Sequence, residues 1–183
     1  MKEIKIKTPL TNEKVKGLKA GDRVYITGKI YTGRDGAHKR LVDSIRKGEK
    51  PPFDIENQII YYVGPCPPKP GQVIGSAGPT TSYRMDDYTP ALLDMGLKGM
   101  IGKGQRSEEV ISSMKDNNGV YFGAIGGAGA LISNCIKKSK IIAYEDLGTE
   151  AIREIYVEEF PAIVVIDCNG NNLYNIENEK YRK

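Results

Sequence analysis

The chain has 183 residues, 39% hydrophobic and 27% charged, which suits one core of ordinary size. Its net charge of +4 comes from 27 basic and 23 acidic residues, with the lysines spread out and not interleaved with aromatics, which argues against nucleic acid as a partner. No run approaches the roughly eighteen apolar residues of a membrane span, and no charged-then-apolar leader opens the sequence, so a cytoplasmic protein off the membrane is expected.

Ile4-Lys5-Ile6-Lys7 alternates like a strand with one solvated face. A turn at Lys19-Ala20-Gly21-Asp22 leads into a β-prone run from Arg23 to Tyr31. After Gly33 the period lengthens, and Ala37, Leu41, Val42 and Ile45 form a helical stripe that stops near Gly48 and Pro51-Pro52. Ile59 to Val63 reads as a second strand, followed by the proline-heavy loop from Gly64 to Gly71 and a short strand from Val73 to Ala77. A helix is expected from Tyr83 to Met95, bent at Pro90. Beyond it, strands at Gly99–Gly102, Val120–Ile125, Ile141–Tyr144, Ala162–Ile166 and Asn172–Ile176 alternate with other segments. The segments Ser107–Lys115, Ala130–Lys137 and Thr149–Glu158 read as helices. This alternation predicts an α/β fold with a β-rich first third, and with no linker the chain reads as a single domain, residues 1–183.

Cys66, Cys135 and Cys168 lie far apart without C-x-x-C spacing, so no disulfide framework and no local metal site is read from them. Cys135 and Cys168 read as buried structural thiols. The basic end, Lys180-Tyr181-Arg182-Lys183, reads as a solvated tail.

Three segments place a cation in a glycine-bounded turn where a strand is expected to end. They are Gly33-Arg34-Asp35-Gly36-Ala37-His38, Gly78-Pro79-Thr80-Thr81-Ser82-Tyr83-Arg84 and Gly102-Lys103-Gly104. Ligand crevices of open α/β sheets lie beyond the carboxyl ends of the strands, so the three are expected to converge on one pocket. Two arginines and a lysine with hydroxyls between them suit a small dianion, because arginine grips a carboxylate bidentately and lysine supplies a point charge. A bland account stands beside this one. Arg34 and Asp35 can form a surface ion pair, Thr80, Thr81 and Ser82 can cap a helix, and Lys103 can be merely solvated. His38, the sole histidine, falls in the first turn of the expected helix, where Asp35 could orient its ring for proton transfer.

Two other motifs are incomplete. Gly126-Gly127-Ala128-Gly129 lacks the third small residue of a dinucleotide loop, since position 132 is Ile132. Gly102-Lys103 lacks the Ser or Thr of a phosphate loop, and position 97 is Leu97.

Taken in order, Ile30-Tyr31-Thr32-Gly33-Arg34-Asp35-Gly36-Ala37-His38, Gly78-Pro79-Thr80-Thr81-Ser82-Tyr83-Arg84-Met85 and Lys98-Gly99-Met100-Ile101-Gly102-Lys103-Gly104 resemble the C-terminal domain of class I fumarate hydratases. In two-chain members this domain is a separate β subunit, and L-tartrate dehydratase β subunits are in the same family. The stretches Glu145-Asp146-Leu147-Gly148-Thr149-Glu150-Ala151-Ile152 and Val157-Glu158-Glu159-Phe160-Pro161-Ala162 look more like the fumarase branch. The resemblance implies a swivelling β/β/α fold and reversible hydration of fumarate to L-malate. It implies a [4Fe–4S] cluster ligated by a partner α subunit and not by this chain. It also implies a hetero-oligomer in which the isolated chain is inactive. Arg34, Arg84 and Lys103, with Thr81, are implied as binders of the C4 dicarboxylate. Thr80 is implied as proton acceptor, with His38 and its neighbour Asp35 as a second choice. Tyr83 stands where some relatives have a small residue. The alternatives are an L-tartrate dehydratase β subunit and a stand-alone anion-binding module of the same fold.

Overall fold

A computed structural model describes residues 3–124 and 129–176. The glycine-rich loop 125–128 and the basic tail 180–183 lie outside the described residues.

The β-rich opening folds as β1 (Glu3–Lys7) and the long β2 (Arg23–Thr32), paired in parallel with Ile4 beside Val24 and Ile6 beside Ile26. A helical turn not anticipated from the sequence, α1 (Asn12–Lys16), sits between them and is capped by the Thr11 side chain. The amphipathic stripe after Gly33 becomes α2 (Asp35–Arg46), which buries Ala37, His38, Leu41 and Val42. Then come β3 (Ile59–Tyr61), α3 (Thr89–Asp94), β4 (Gly99–Gly102), α4 (Glu108–Asn117), β5 (Val120–Gly123), α5 (Gly129–Cys135), β6 (Ile136–Ala143) and β7 (Ile152–Ile166). Ser107 caps α4 as the sequence anticipates, accepting from the Val110 N–H.

The sheet order is β1-β2-β3-β4-β5-β7-β6, and a further antiparallel pairing of β2 with β7 closes it on itself. Strands β2 to β5 run parallel, whereas β7 is antiparallel to β2, β5 and β6. The period-2 alternation of the strands then sorts two cores. Ile59, Tyr61, Val63, Ile101, Val120 and Phe122 face the cluster shared with Val157, Phe160 and Val164 of β7, a sheet-on-sheet interior. Ile60, Tyr62, Met100 and Tyr121 face the other way, onto Leu41 and Val42 of α2, Leu92 and Leu93 of α3, and Val110 and Met114 of α4. The layering is therefore β/β/α, within the mixed α/β class that the alternating pattern predicts.

Four local expectations are corrected. Tyr83 to Met95 is not one helix: a 3-10 turn over Ser82–Met85 is followed by α3, with Pro90 in its first turn, where a missing N–H costs nothing. Val73 to Ala77 forms no strand. Thr149 to Glu158 is not a helix but the end of a 3-10 segment, Glu145–Glu150, and the start of the fifteen-residue β7. Of the expected last strand only Asn172 pairs, with Ile166, and residues 173–176 turn helically.

Candidate active site

Parallel strands order the three glycine-bounded turns. Thr32 lies beside Tyr61 and Tyr61 beside Ile101, so the residues that follow each strand emerge along one edge. The ladder continues past the strand ends: Gly33 donates its N–H to the Tyr61 carbonyl at 3.1 Å, and Tyr62 to that of Ile101 at 2.8 Å. Arg34 and Lys103 thus leave positions two strands apart, a backbone spacing of about 10 Å. The chain leaving β3 loops out and returns to the same edge. There Thr80 donates its N–H to the Tyr62 carbonyl at 2.8 Å, Thr81 bridges Lys103, and Ser82 donates to the Lys103 carbonyl at 2.9 Å. Arg84 follows on the 3-10 turn.

Among the described residues the edge is an open shelf. Arg84 and Lys103 are exposed, and Tyr83 beside them is 63% exposed. Neither cation makes an ion pair among the described residues. A cavity of about 480 Å³ lined by Lys7, Thr8, Thr27, Lys29, Gln58 and Tyr156, among others, includes none of these side chains.

Arg34 is set differently. Its Nε lies 3.1 Å from Glu150 Oε1 and 3.8 Å from Asp35 Oδ1, an ion pair without an aligned hydrogen bond. Its two Nη groups donate to no group among the described residues. Gly64 lets this side chain pass, because a Cβ there would meet Arg34 Cδ at 2.9 Å. Arg34 is also the N-cap residue of α2, whose first turn has no side-chain cap, so the positive end of the helix opens beside it.

His38 is 2% exposed, and its Nδ1 lies 2.8 Å from the Arg34 carbonyl, so Nδ1 carries the proton and donates it there. Asp35 therefore does not orient the ring, as the sequence led us to expect; the Arg34 backbone takes that part. The opposite nitrogen, Nε2, is buried without a hydrogen bond among the described residues. The ring meets Tyr62 edge-on at 5.2 Å. Burial above all, with the nearby Arg106 charge, lowers its pKa to about 4, against the opposing pull of the Arg34 carbonyl and Asp35. His38 is neutral at pH 7.

Thr80 is partly exposed, and its hydroxyl makes no hydrogen bond among the described residues. Beneath the shelf lies a polar cluster that sequence reasoning missed, centred on Arg106 and Asp86, which pair at 2.7 Å. Their only sequence signal is that Arg106 falls between Gly104 and the cap Ser107, which does not separate a buried arginine from a solvated one.

Among the described residues no three His, Cys, Asp or Glu side chains group as a metal-binding set. Cys66 is exposed, Cys135 half-buried rather than fully buried as expected, and Cys168 buried. No helix among the described residues is long and apolar enough to cross a membrane.

The sequence model described as the Fumarase C-terminus matches residues 1–177. The chain is 40% identical over 177 residues to a Methanocaldococcus jannaschii protein with the provisional name L(+)-tartrate dehydratase subunit beta, covering 93% of this chain and 91% of that one. It is 41% identical over 154 residues to the anaerobic class I fumarate hydratase of Escherichia coli, covering 83% of this chain and 28% of that protein. Fumarate hydratase 2 of Leishmania major is 38% identical over 157 residues, of which this chain spans 28% of the length. The chain thus spans nearly all of the archaeal relative and under a third of those fumarate hydratases.

Proposed function

This chain belongs to the fumarase C-terminus family, and from that footing we propose that it is the β subunit of a hydro-lyase acting on a C4 dicarboxylate, with reversible hydration of fumarate to L-malate as its reaction. The observation that carries this reading is the convergence of Arg34, Thr80, Arg84 and Lys103 on the carboxyl edge of β2, β3 and β4. Arg84 and Lys103 hold one end of the dianion from exposed positions. Arg34, steadied on its Nε side by Glu150, offers its Nη pair to the other end at the start of α2. Thr81, whose backbone bridges Lys103, sits between them.

Loss of a proton from the carbon next to a carboxylate builds charge on that carboxylate, so cations fixed there favour the transition state over the ground state. Thr80 receives the proton in this scheme. An unaided hydroxyl is a poor base, and no group among the described residues activates it, so an acidic side chain of the partner is required. His38 is too deeply buried and too weakly basic for that task; it holds the Arg34 turn in place. A [4Fe–4S] cluster with an open iron, carried by a separate α subunit in a hetero-oligomer, would supply the Lewis acid that makes hydroxide a possible leaving group. The described residues of this chain offer no ligand set for it, and their work is to bind the dicarboxylate and move its proton. The open shelf supports a partner that covers it, since charge–charge contacts strengthen when water is excluded.

L-Tartrate is the second reading, favoured by the near full-length match to the archaeal subunit. The cations named here would hold either substrate.

The test is made in the two-chain complex. Arg84→Ala and Lys103→Ala are expected to raise KM for fumarate by about tenfold or more without releasing iron, as loss of a charged hydrogen bond implies. Thr80→Ala should lower kcat with little change in KM. Wild-type constants in the first two variants would remove the assigned carboxylate contacts, and an unchanged kcat would remove Thr80 as proton acceptor.

A further inference from the structure

We infer that Arg106, which lies outside all three glycine-bounded turns, is the residue that positions them, acting through other side chains and not on the substrate. This rests on reading those turns as the dicarboxylate site. The Arg106 side chain is 0% exposed, yet its fork is nearly filled. Nε donates to Asp86 Oδ1 at 2.7 Å, Nη2 to Thr89 Oγ1 at 2.8 Å and Nη1 to Tyr62 Oη at 3.2 Å. The guanidinium also faces the rings of Tyr62 and Tyr121, at 5.3 and 5.1 Å.

Each partner leads to a turn. Asp86 follows the 3-10 turn that carries Arg84, and its second oxygen accepts the Ser107 N–H at 2.8 Å. The two bonds of Asp86 therefore tie the Arg84 turn to the segment just after Lys103. Tyr121 donates its hydroxyl to the Gly104 carbonyl at 2.8 Å, which leaves its oxygen to accept from Ser82 Oγ at 2.9 Å. Burial pushes the Tyr121 phenol pKa up, so the hydroxyl keeps the proton it donates. Tyr62 meets the His38 ring, which in turn holds the Arg34 carbonyl. One buried cation thus reaches all three turns through Asp86, Tyr121 and Tyr62.

Energetics point the same way. A buried ion pair is often no more stabilising than apolar side chains of equal volume, so stability alone gives little reason for one here. A forked donor with fixed directions is well suited to holding several loops in register, and lysine cannot replace it.

The experiment compares wild type with Arg106→Lys, which keeps the charge, and with the double variant Asp86→Asn/Arg106→Gln, which removes both charges together. Amide hydrogen exchange is measured on the full chain, and KM and kcat on its complex with the cluster-bearing subunit. In both variants the Ser82 amide should exchange about tenfold faster while the core amides of β3 and β4 keep their protection. KM for fumarate should rise about tenfold or more, with a smaller change in kcat. Uniform acceleration across the core would mark a purely structural role and overturn the inference, as would unchanged exchange at Ser82 or full rescue by lysine. Should the wild-type complex turn over neither fumarate nor L-tartrate, the dicarboxylate reading fails, and the exchange data still decide whether Arg106 positions the turns.

Discussion

His38 shows how one residue can lie at a site without doing its chemistry. Its pKa near 4 means that the folded chain resists a proton that the unfolded chain accepts below about 6.5. The unfolded state thus binds more protons between those values, and stability should fall as pH drops through that window, by roughly 3 kcal/mol in all. Above about 6.5 the contribution is complete. Urea unfolding of the wild type from pH 7 to 4 should show this loss, and His38→Phe should flatten it; an equal slope in both would assign the loss to other groups. That the segments carrying Arg34, Arg84 and Lys103 meet along one strand edge was legible from sequence because glycines bound their turns. Arg106 was not, because what distinguishes it is burial against Asp86, Tyr62 and Tyr121, residues brought near it only by folding. The orienting group of His38 was misjudged for a related reason: a backbone carbonyl leaves no mark in sequence.

Strands β2 to β5, of which β3 to β5 meet a core on both faces, were readable as β-prone or apolar runs. β7 was not. Along β7 the buried Ile152, Ile155, Val157 and Phe160 lie three, two and three positions apart, which breaks the strand alternation. Two irregularities make that spacing. Ile152 belongs to the helix-side core and Ile155 to the inter-sheet core, and a register shift opposite Ile26 and Gly28 skips two residues between Val157 and Phe160. Glu159, at a φ of 48°, sits in that skip. At the edge that matters for function, Gly102 ends β4 where a Cβ would fall only 2.0 Å from Ser82 Oγ and 2.9 Å from the Tyr62 ring. Gly102→Ala should therefore push the Thr81–Lys103 bridge apart, costing about 1–3 kcal/mol and raising KM more than a distant core substitution of equal cost. Crystal structures or exchange data showing Ser82 unmoved would contradict this.

Across the described residues, the antiparallel β7 closes a parallel sheet whose carboxyl edge carries Arg84 and Lys103 on an open shelf and Arg34 partly buried. The mixed α/β class was legible from the alternating pattern, and the β/β/α layering from the resemblance. What the sequence hid was that the shelf is open and that its turns share one buried hub, since both depend on exposure. The central claim is that this chain supplies the dicarboxylate-binding half of a two-chain hydro-lyase. Its most direct test is to purify the chain alone, then again after anaerobic co-expression with a cluster-bearing α subunit, and assay both with fumarate. The account predicts no malate from the chain alone and malate from the complex. Malate formed by the isolated chain, or none from a complex with its cluster fully loaded, would contradict it.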